Sequence, residues 1–538
     1  MPTIKVDGIE CTYDADAKPS LLQVALDNGV EIPHYCYHPG MSVVASCRIC
    51  LAEVAQPNPR NEGKVELIPK LVPTCQTPAV DGAEVYIRSP KSIANQKAVM
   101  EYLLINHPLD CPVCDKAGQC SLQDYSYNYG RSSSRFQEQK IKQPKKDIGT
   151  HVLLYSDRCI MCTRCVRFTR EVTGTNELGV FGRGALEQID VFPGDGLTNE
   201  LSGNVVDICP VGALLDKDFL MTMRVWNLKQ TPSVDGITAS GDNLHIESNE
   251  GRVYRFKPRT NMEINQWWTS DEIRYGWKFV HDEHRLRSPL TRRNGVLQEA
   301  DWNTAYEAVQ GGLDGKRVGL MLSPMLPSEE AYALAEAVRA AHPDSVLAVG
   351  PVPVSGEDKI FPGGYTVRSE KAPNARGVRR ALASMGEVLE ADAFLQQASE
   401  GRFDALVLTG NYPSEWASNA VLAALERASF SVVIDTLPGK ATEAADVVLP
   451  GATWLEKAGS FENVDHVAQH FEAAIPVIEL AKHEGQIALD LAHTLAGRDR
   501  VLWNLDAVRS DMGDALGADL RVPEAGVALQ SEIAYVEL

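Results

Sequence analysis

Apolar positions follow two different rhythms along the chain, and the change of rhythm divides it. Near the N-terminus the alternation is short: Ile4-Lys5-Val6 and Ile9-Glu10-Cys11-Thr12 predict two small strands around the turn Asp7-Gly8. Ser20 to Leu26 then has helical spacing, with Ser20 as its N-cap and Gly29 as its stop. From about 228 the pattern predicts short strands at Thr238, at Leu244-His245-Ile246 and over Val253 to Phe256, with turns at Gly241-Asp242 and Asn249-Glu250-Gly251. After 300, helical and buried-strand segments alternate. Ala305 to Leu313, Ser328 to Ala341 and Ala417 to Ala428 read as helices. Val318 to Leu322, Val346 to Val349, Ala405 to Leu408 and Ser431 to Ile434 read as strands. Such alternation predicts α/β layers about a parallel sheet.

Composition narrows this picture without changing it. At 538 residues the chain is too long for one core, and roughly 150 residues per domain suggests three or four domains. With 44% hydrophobic and 23% charged residues it is an ordinary globular protein. A net charge of −20 argues against nucleic-acid binding, which needs a basic face. No stretch approaches the roughly 20 apolar residues of a membrane span. The N-terminus shows neither a signal nor a transit pattern, so a soluble, cytoplasmic chain is expected.

The cysteines change the picture. All twelve lie between Cys11 and Cys209. Without a secretion signal such clustered thiols read as metal ligands. Cys36, Cys47, Cys50 and Cys75 are spaced C-x10-C-x2-C-x24-C. A plant-type [2Fe–2S] loop has C-x4-C-x2-C and a distant fourth Cys, so only the first gap differs. Small and polar residues such as Ala45-Ser46 let backbone N–H groups approach the sulfurs. Zinc usually takes two short Cys pairs, and only Cys47/Cys50 is one. A second set, Cys111, Cys114 and Cys120, needs a fourth ligand. His107, four residues before Cys111, is favoured over Cys11, which sits in the first hairpin and reads as a small packed hydrophobe. Histidine replaces cysteine on iron in Rieske centres.

The third set is the sharpest. Cys159, Cys162 and Cys165, with Cys209-Pro210 downstream, match the bacterial ferredoxin run in which each motif's fourth Cys serves the other cluster. A complete second motif would put cysteines at 199, 202 and 205, where the chain has Asn199, Ser202 and Val205. The first motif's own fourth Cys falls at Thr169. The economical reading is a two-cluster ferredoxin fold that keeps one [4Fe–4S]. Eleven cysteines and His107 then supply four ligands for each of three clusters. Arg158, Arg164, Arg167 and Arg170 surround the third set. They are either charge that raises its potential or a solvated basic helix face. Arg131 to Lys146, polar and basic, reads as a linker wrapping the surface. Gly179, Gly182 and Gly184 read as a turn beside the third set; no nucleotide-binding glycine motif and no catalytic triad is legible.

The stretches His107-Pro-Leu-Asp-Cys-Pro-Val-Cys-Asp115, Gly118-Gln-Cys-Ser-Leu-Gln-Asp124, Arg158 to Phe168 and Asp207-Ile-Cys-Pro-Val-Gly-Ala213 resemble the G-subunit family of NADH-quinone oxidoreductases, the large iron–sulfur subunit of respiratory complex I. The resemblance covers residues 1 to about 225. It implies a [2Fe–2S] at Cys36, Cys47, Cys50 and Cys75, and two [4Fe–4S] clusters. One would sit at His107, Cys111, Cys114 and Cys120, the other at Cys159, Cys162, Cys165 and Cys209. Ala445 to Asn463 is similar to a recurrent segment of molybdopterin oxidoreductases. Catalytic members of that superfamily carry a further cluster set where this chain has Asp235, Thr238 and Asp242. Their usual Gly-Arg is replaced by His466-Val467, no Cys is available for molybdenum, and the domain is shorter than usual.

The expected fold is therefore α+β iron–sulfur domains (β-grasp ferredoxin-like, then helical and bacterial-ferredoxin-like) followed by an α/β molybdopterin-oxidoreductase-like domain. Its boundaries are expected at 1–80, 81–130, 131–225, 226–285 and 286–538. The expected cofactors are one [2Fe–2S] and two [4Fe–4S], with no molybdopterin and no active site on this chain. The resemblance implies a flavin/NADH-binding subunit, other peripheral-arm subunits and the iron–sulfur subunit leading to quinone as partners. It also implies a place on the cytoplasmic side of the bacterial inner membrane, held there through the complex. An NAD-linked hydrogenase or formate dehydrogenase electron-transfer subunit is the alternative, and a zinc interaction protein a weaker one.

Overall fold

The computed structural model describes residues 1–516 and separates into two compact units. The first holds Met1–Asn227 with the short segment Phe361–Tyr365; the second begins at Leu228.

In the first unit, strands Thr3–Val6 and Ile9–Thr12 form the expected antiparallel hairpin, and Thr3–Val6 also pairs in parallel with Ala83–Tyr86. The sheet continues through Leu51–Pro57 to Val65–Leu67. Helix Leu21–Asp27 lies against it, capped by Ser20, whose hydroxyl accepts the Gln23 N–H at 3.2 Å. A hairpin, a helix across the sheet and a parallel first–last strand pair make a β-grasp. Pro90–Leu104 follows, started by the Ser89 cap and Pro90. It docks on the sheet through Ser92, which donates to the Tyr86 carbonyl at 2.7 Å, and Gln96, which donates to that of Ile87 at 3.0 Å. Strand Val152–Tyr155 then runs between Leu214–Asp216 and Lys145–Asp147, antiparallel to both. The expected linker from 131 to 146 is thus shorter than its composition suggested, because Lys145 and Lys146 join this sheet. Its earlier part straps down the end of Pro90–Leu104: Arg135 forks onto Glu101, and Lys140 caps the Leu104 and Ile105 carbonyls at 2.8 Å.

The second unit opens with the antiparallel strands Lys229–Val234, Asn243–Asn249 and Arg252–Pro258. Thr238 is in a turn rather than in the expected strand. Its hydroxyl and N–H both bond Asp235, and that local satisfaction outcompetes a ladder. The large sheet beyond is as the alternation predicted. Six parallel strands run in the order 447–450, 430–435, 405–409, 318–322, 346–349 and 388–389, with the antiparallel hairpin 290–299 on one edge. Both faces are covered. Leu320, Leu322, Val407, Val432 and Ile434 belong to one core, and Met321, Leu406, Leu408 and Val433 to the other. Burial on both sides is why these strands read as unbroken apolar runs.

Candidate metal centres

The four thiols of the third set line one cavity in the first unit, with Leu154, Ile189 and Val211 completing its wall. The loop curls to do this by taking left-handed backbone at Met161 (φ 52°) and Thr163 (φ 58°). The turn also aims the Met161 N–H at Cys159 Sγ, 3.4 Å away. Cys165 enters from helix Arg164–Arg167, and Cys209 from the end of Asn204–Ile208. Burial pushes the Cys159 thiol up to about 12 and that of Cys162 to about 11. Loading of iron and loss of these protons therefore go together. Four sulfurs spread round a cavity fit a cluster. Among the described residues no group of three donors converges on a point as one ion requires.

The positions of the missing ferredoxin cluster are closed by other means. Asn199 bonds Glu177 through its N–H at 3.0 Å and through its side chain, while the Thr169 hydroxyl donates to the Val166 carbonyl at 3.1 Å. Ser202 and Val205 are fully buried.

In the first set, Cys36 Sγ and Cys47 Sγ are 3.5 Å apart, and Cys75 lies close enough to Cys50 to lower its thiol. Within each pair, donation by one thiol holds the other low: Cys36 falls to about 5 and Cys50 to about 7. Two pairs of thiols suit two irons. Ala45 (φ 50°) and Arg48 (φ 62°) supply the left-handed turns that wrap this loop. His34 and His38, flanking Cys36, are held neutral, first by burial and then by Arg164, at about 4 and about 3.

The second set is more open. Cys114 and Cys120 are buried and Cys111 is exposed. Burial, then Lys140 and Arg158, lower His107 to about 4, so its imidazole is neutral at pH 7. Its Nδ1 is buried and bonds nothing among the described residues. A neutral imidazole with an orphaned nitrogen is what a metal ligand needs. Cys11 is instead fully buried in the β-grasp core, its thiol directed at the Ile9 carbonyl 3.8 Å away.

Several contacts that tie the loops together were beyond sequence reasoning. Gly212 leaves room for Cys114: a Cβ there would lie 2.2 Å from Cys114 Sγ. Lys116, buried, donates to the Val206 carbonyl at 2.9 Å, just ahead of Cys209. Arg158 pairs with Asp110 at 3.0 Å and stacks 4.1 Å over the Tyr155 ring. Tyr35, next to Cys36 and fully buried, donates to Met100 Sδ at 3.2 Å and lies 5.3 Å from the Tyr125 ring. Adjacency to a ligand is the one signal that could have flagged Tyr35. The four arginines do not share one fate: Arg158 is 2% and Arg167 3% exposed, whereas Arg170 is in solvent.

In the second unit, Asp235 is fully buried and accepts N–H bonds from Ile237 (2.8 Å) and Thr238 (3.1 Å) and the Ser240 hydroxyl (3.1 Å). Burial, then Asp242, push it up to about 7. The large sheet changes direction between strands 318–322 and 405–409, where a doubly wound fold offers a nucleotide crevice. The carboxyl ends of these strands are filled by the chain itself. Lys457 bonds Glu330 at 2.7 Å and also Glu484, which in turn accepts from Asn411. A Cβ on Gly451 would lie 2.3 Å from Glu484. These buried, mutually bonded side chains occupy that end of the sheet.

Ferredoxin-type cysteine loops in one unit and a doubly wound sheet in the other define an iron–sulfur protein joined to a molybdopterin-oxidoreductase-type domain. Residues 1–90 match the family described as a 2Fe-2S iron–sulfur cluster binding domain. Residues 96–135 match the NADH-ubiquinone oxidoreductase-G iron–sulfur binding region, and 149–215 the NADH-quinone oxidoreductase subunit 3 ferredoxin-like domain. Residues 228–278 match the NDSU1/NuoG-like 4Fe-4S domain, although no cysteine occurs there, and 365–494 match molybdopterin oxidoreductase.

The chain is a homologue of the NADH-quinone oxidoreductase proteins named as the G-subunit or the 75 kDa subunit. It is 38% identical over 309 residues to the 75 kDa subunit of Reclinomonas americana, covering 57% of this chain and 43% of that protein. The NADH-quinone oxidoreductase G-subunit of Rickettsia conorii gives 38% over 57% and 44%, and the mitochondrial iron–sulfur protein 1 of Solanum tuberosum 42% over 54% and 38%. The chain thus spans less than half the length of these relatives. A solved NAD+-reducing [NiFe]-hydrogenase chain aligns at 28% identity over 42% of this chain and 91% of its own, with a TM-score of 0.35.

Proposed function

We propose that this chain is the iron–sulfur electron-transfer subunit of a proton-pumping NADH:quinone oxidoreductase. It would pass single electrons from a flavin-bearing subunit toward the iron–sulfur subunit that leads to quinone. The observation that carries this is the cavity closed by Cys159, Cys162, Cys165 and Cys209, bonded on either side to the loops of the other two ligand sets. One [2Fe–2S] and two [4Fe–4S] centres, when bound, supply one-electron carriers at potentials that the protein tunes. The residues' own share is ligation by the twelve groups already named, exclusion of water by Leu154, Ile189 and Val211, and placement of charge. No general acid, base or nucleophile is assigned.

The five-part division at 80, 130, 225 and 285 is part of this reading, with the last two parts as scaffold holding neither cluster nor pterin. Among the described residues no helix is long and apolar enough to cross a membrane. The proposed place is the cytoplasmic face of the bacterial inner membrane, reached through partner subunits. Anaerobic iron, sulfide and molybdenum analysis of the purified chain tests the reading. About 10 irons and 10 sulfides without molybdenum support it. Molybdenum near one per chain overturns the scaffold assignment, and zinc in place of iron overturns the whole.

A further inference from the structure

Helix Arg164–Arg167 carries Cys165 into the cavity of the third set, and its two arginines bond the loop of the first. Arg164 donates to two carbonyls, that of Tyr37 beside Cys36 and that of Ile208 beside Cys209, the latter at 3.2 Å. Arg167 donates to the carbonyls of Cys36 itself and of Ser42. Among the described residues each guanidinium bonds only neutral carbonyl oxygens, so neither forms a direct ion pair, although Glu171 lies near enough to act on the charge of Arg167. The nearby carboxylate of Glu171 accepts instead from the Ser42 N–H at 2.8 Å and the Ser42 hydroxyl at 2.6 Å. The other two arginines differ. Arg158 is paired with Asp110, and Arg170, with 60% of its side chain exposed, is paired with Glu171 at 3.4 Å and screened by water.

We infer that Arg164 is a shared electrostatic bridge that sets the reduction potentials of the [2Fe–2S] and the third-set [4Fe–4S] together, with Arg167 acting mainly on the [2Fe–2S]. Reduction adds negative charge at either centre. A guanidinium bonded to backbone beside a ligand of both stabilises both reduced states, and half-burial of Arg164 leaves that effect only partly screened. Both arginines are positioning residues, since neither is a ligand. The inference rests on the proposed cluster assignment.

The test is an EPR-monitored redox titration of the full chain, anaerobically purified, as wild type and as Arg164→Gln, Arg164→Lys, Arg167→Gln and Arg170→Gln. Arg164→Gln is expected to lower both midpoints, each by a tenfold change in the reduced-to-oxidised ratio, about 59 mV for one electron. Arg164→Lys restores most of that shift. Arg167→Gln moves chiefly the [2Fe–2S], and Arg170→Gln neither. A shift of one midpoint alone in Arg164→Gln, or of neither, with all signals intact, overturns the bridge and leaves the assignment standing. Missing signals in the wild type overturn the assignment and the bridge with it. Should Arg164→Gln not assemble its clusters, Arg164→Met decides by the same outcomes: both midpoints falling together sustains the bridge, and one falling alone or neither overturns it.

Discussion

The loop Cys159–Cys165 and the turn Asp235–Asp242 are both short and rich in side chains able to bind metal, yet they use those groups in opposite ways. The loop takes left-handed backbone at Met161 and Thr163, and its sulfurs line a cavity. The turn points inward: Asp235 collects donors from Ile237, Thr238 and Ser240 and leaves its neighbours satisfied. A donor set that lines a cavity thus differs from a turn whose donors and acceptors are matched to each other. The same contrast separates His107, whose Nδ1 is orphaned, from Cys11, packed in a core.

The contrast breaks most severely if the third set can lose a ligand without consequence. Cys162→Ser is expected to drop iron from about 10 to about 6 per chain, and to remove one [4Fe–4S] EPR signal. Iron that stays at the wild-type value would deny the cavity its role. His107→Ala should cost a [4Fe–4S] of the second set while the other two centres persist, and Cys11→Ser should cost none. Iron analysis of both variants decides, and loss of a cluster in Cys11→Ser would reverse the choice between them.

Smaller effects belong to the second unit. Glu330 is held below the usual range by Lys457 and His483 against burial, and Glu484 is pushed up to about 7 by burial. Lys457→Met leaves the two carboxylates facing each other. It should destabilise this unit by about 3–5 kcal/mol, the cost of breaking a buried pair, without changing iron content. Urea unfolding followed by tryptophan fluorescence measures it; an unchanged midpoint would show the network to be slack.

The smallest effect concerns Asp235. Its carboxyl is raised by burial, so the folded state holds the proton more firmly than the unfolded chain. That stabilisation is complete below about pH 4 and is lost as pH rises through about 7. The unfolding temperature of the second unit should therefore fall between pH 5 and 8, less steeply in Asp235→Asn. Some slope remains there, because Glu484 titrates in the same window. Equal slopes in the two proteins would show that Asp235 is ionised throughout.

Much of the fold was legible because its causes are local. Val318–Leu322, Ser328–Ala341 and Val346–Val349 follow from apolar period alone. Ser20 caps its helix as read, since a hydroxyl three residues ahead of a free N–H is a short-range arrangement. Thr238 was misread because a β-branched residue between apolar neighbours resembles a strand, whereas Asp235 three residues earlier captures its N–H. The arginines around the third set could not be sorted by sequence. Arg164, Arg167 and Arg170 share one short stretch, and only the position of the first loop decides which of them is buried.

The chain's own order determined the ligand types, their spacing and the rhythm of its sheets, because thiol chemistry and side-chain periodicity are properties of neighbours along the backbone. The tertiary structure alone decided which groups stand unmatched around a cavity and which satisfy one another. It brought the carbonyls of Tyr37 and Ile208 to the same guanidinium, and set Lys457 between Glu330 and Glu484 at the end of the large sheet. Those choices depend on burial and on contacts across long stretches of chain, where desolvation makes every unpaired charge or lone pair count.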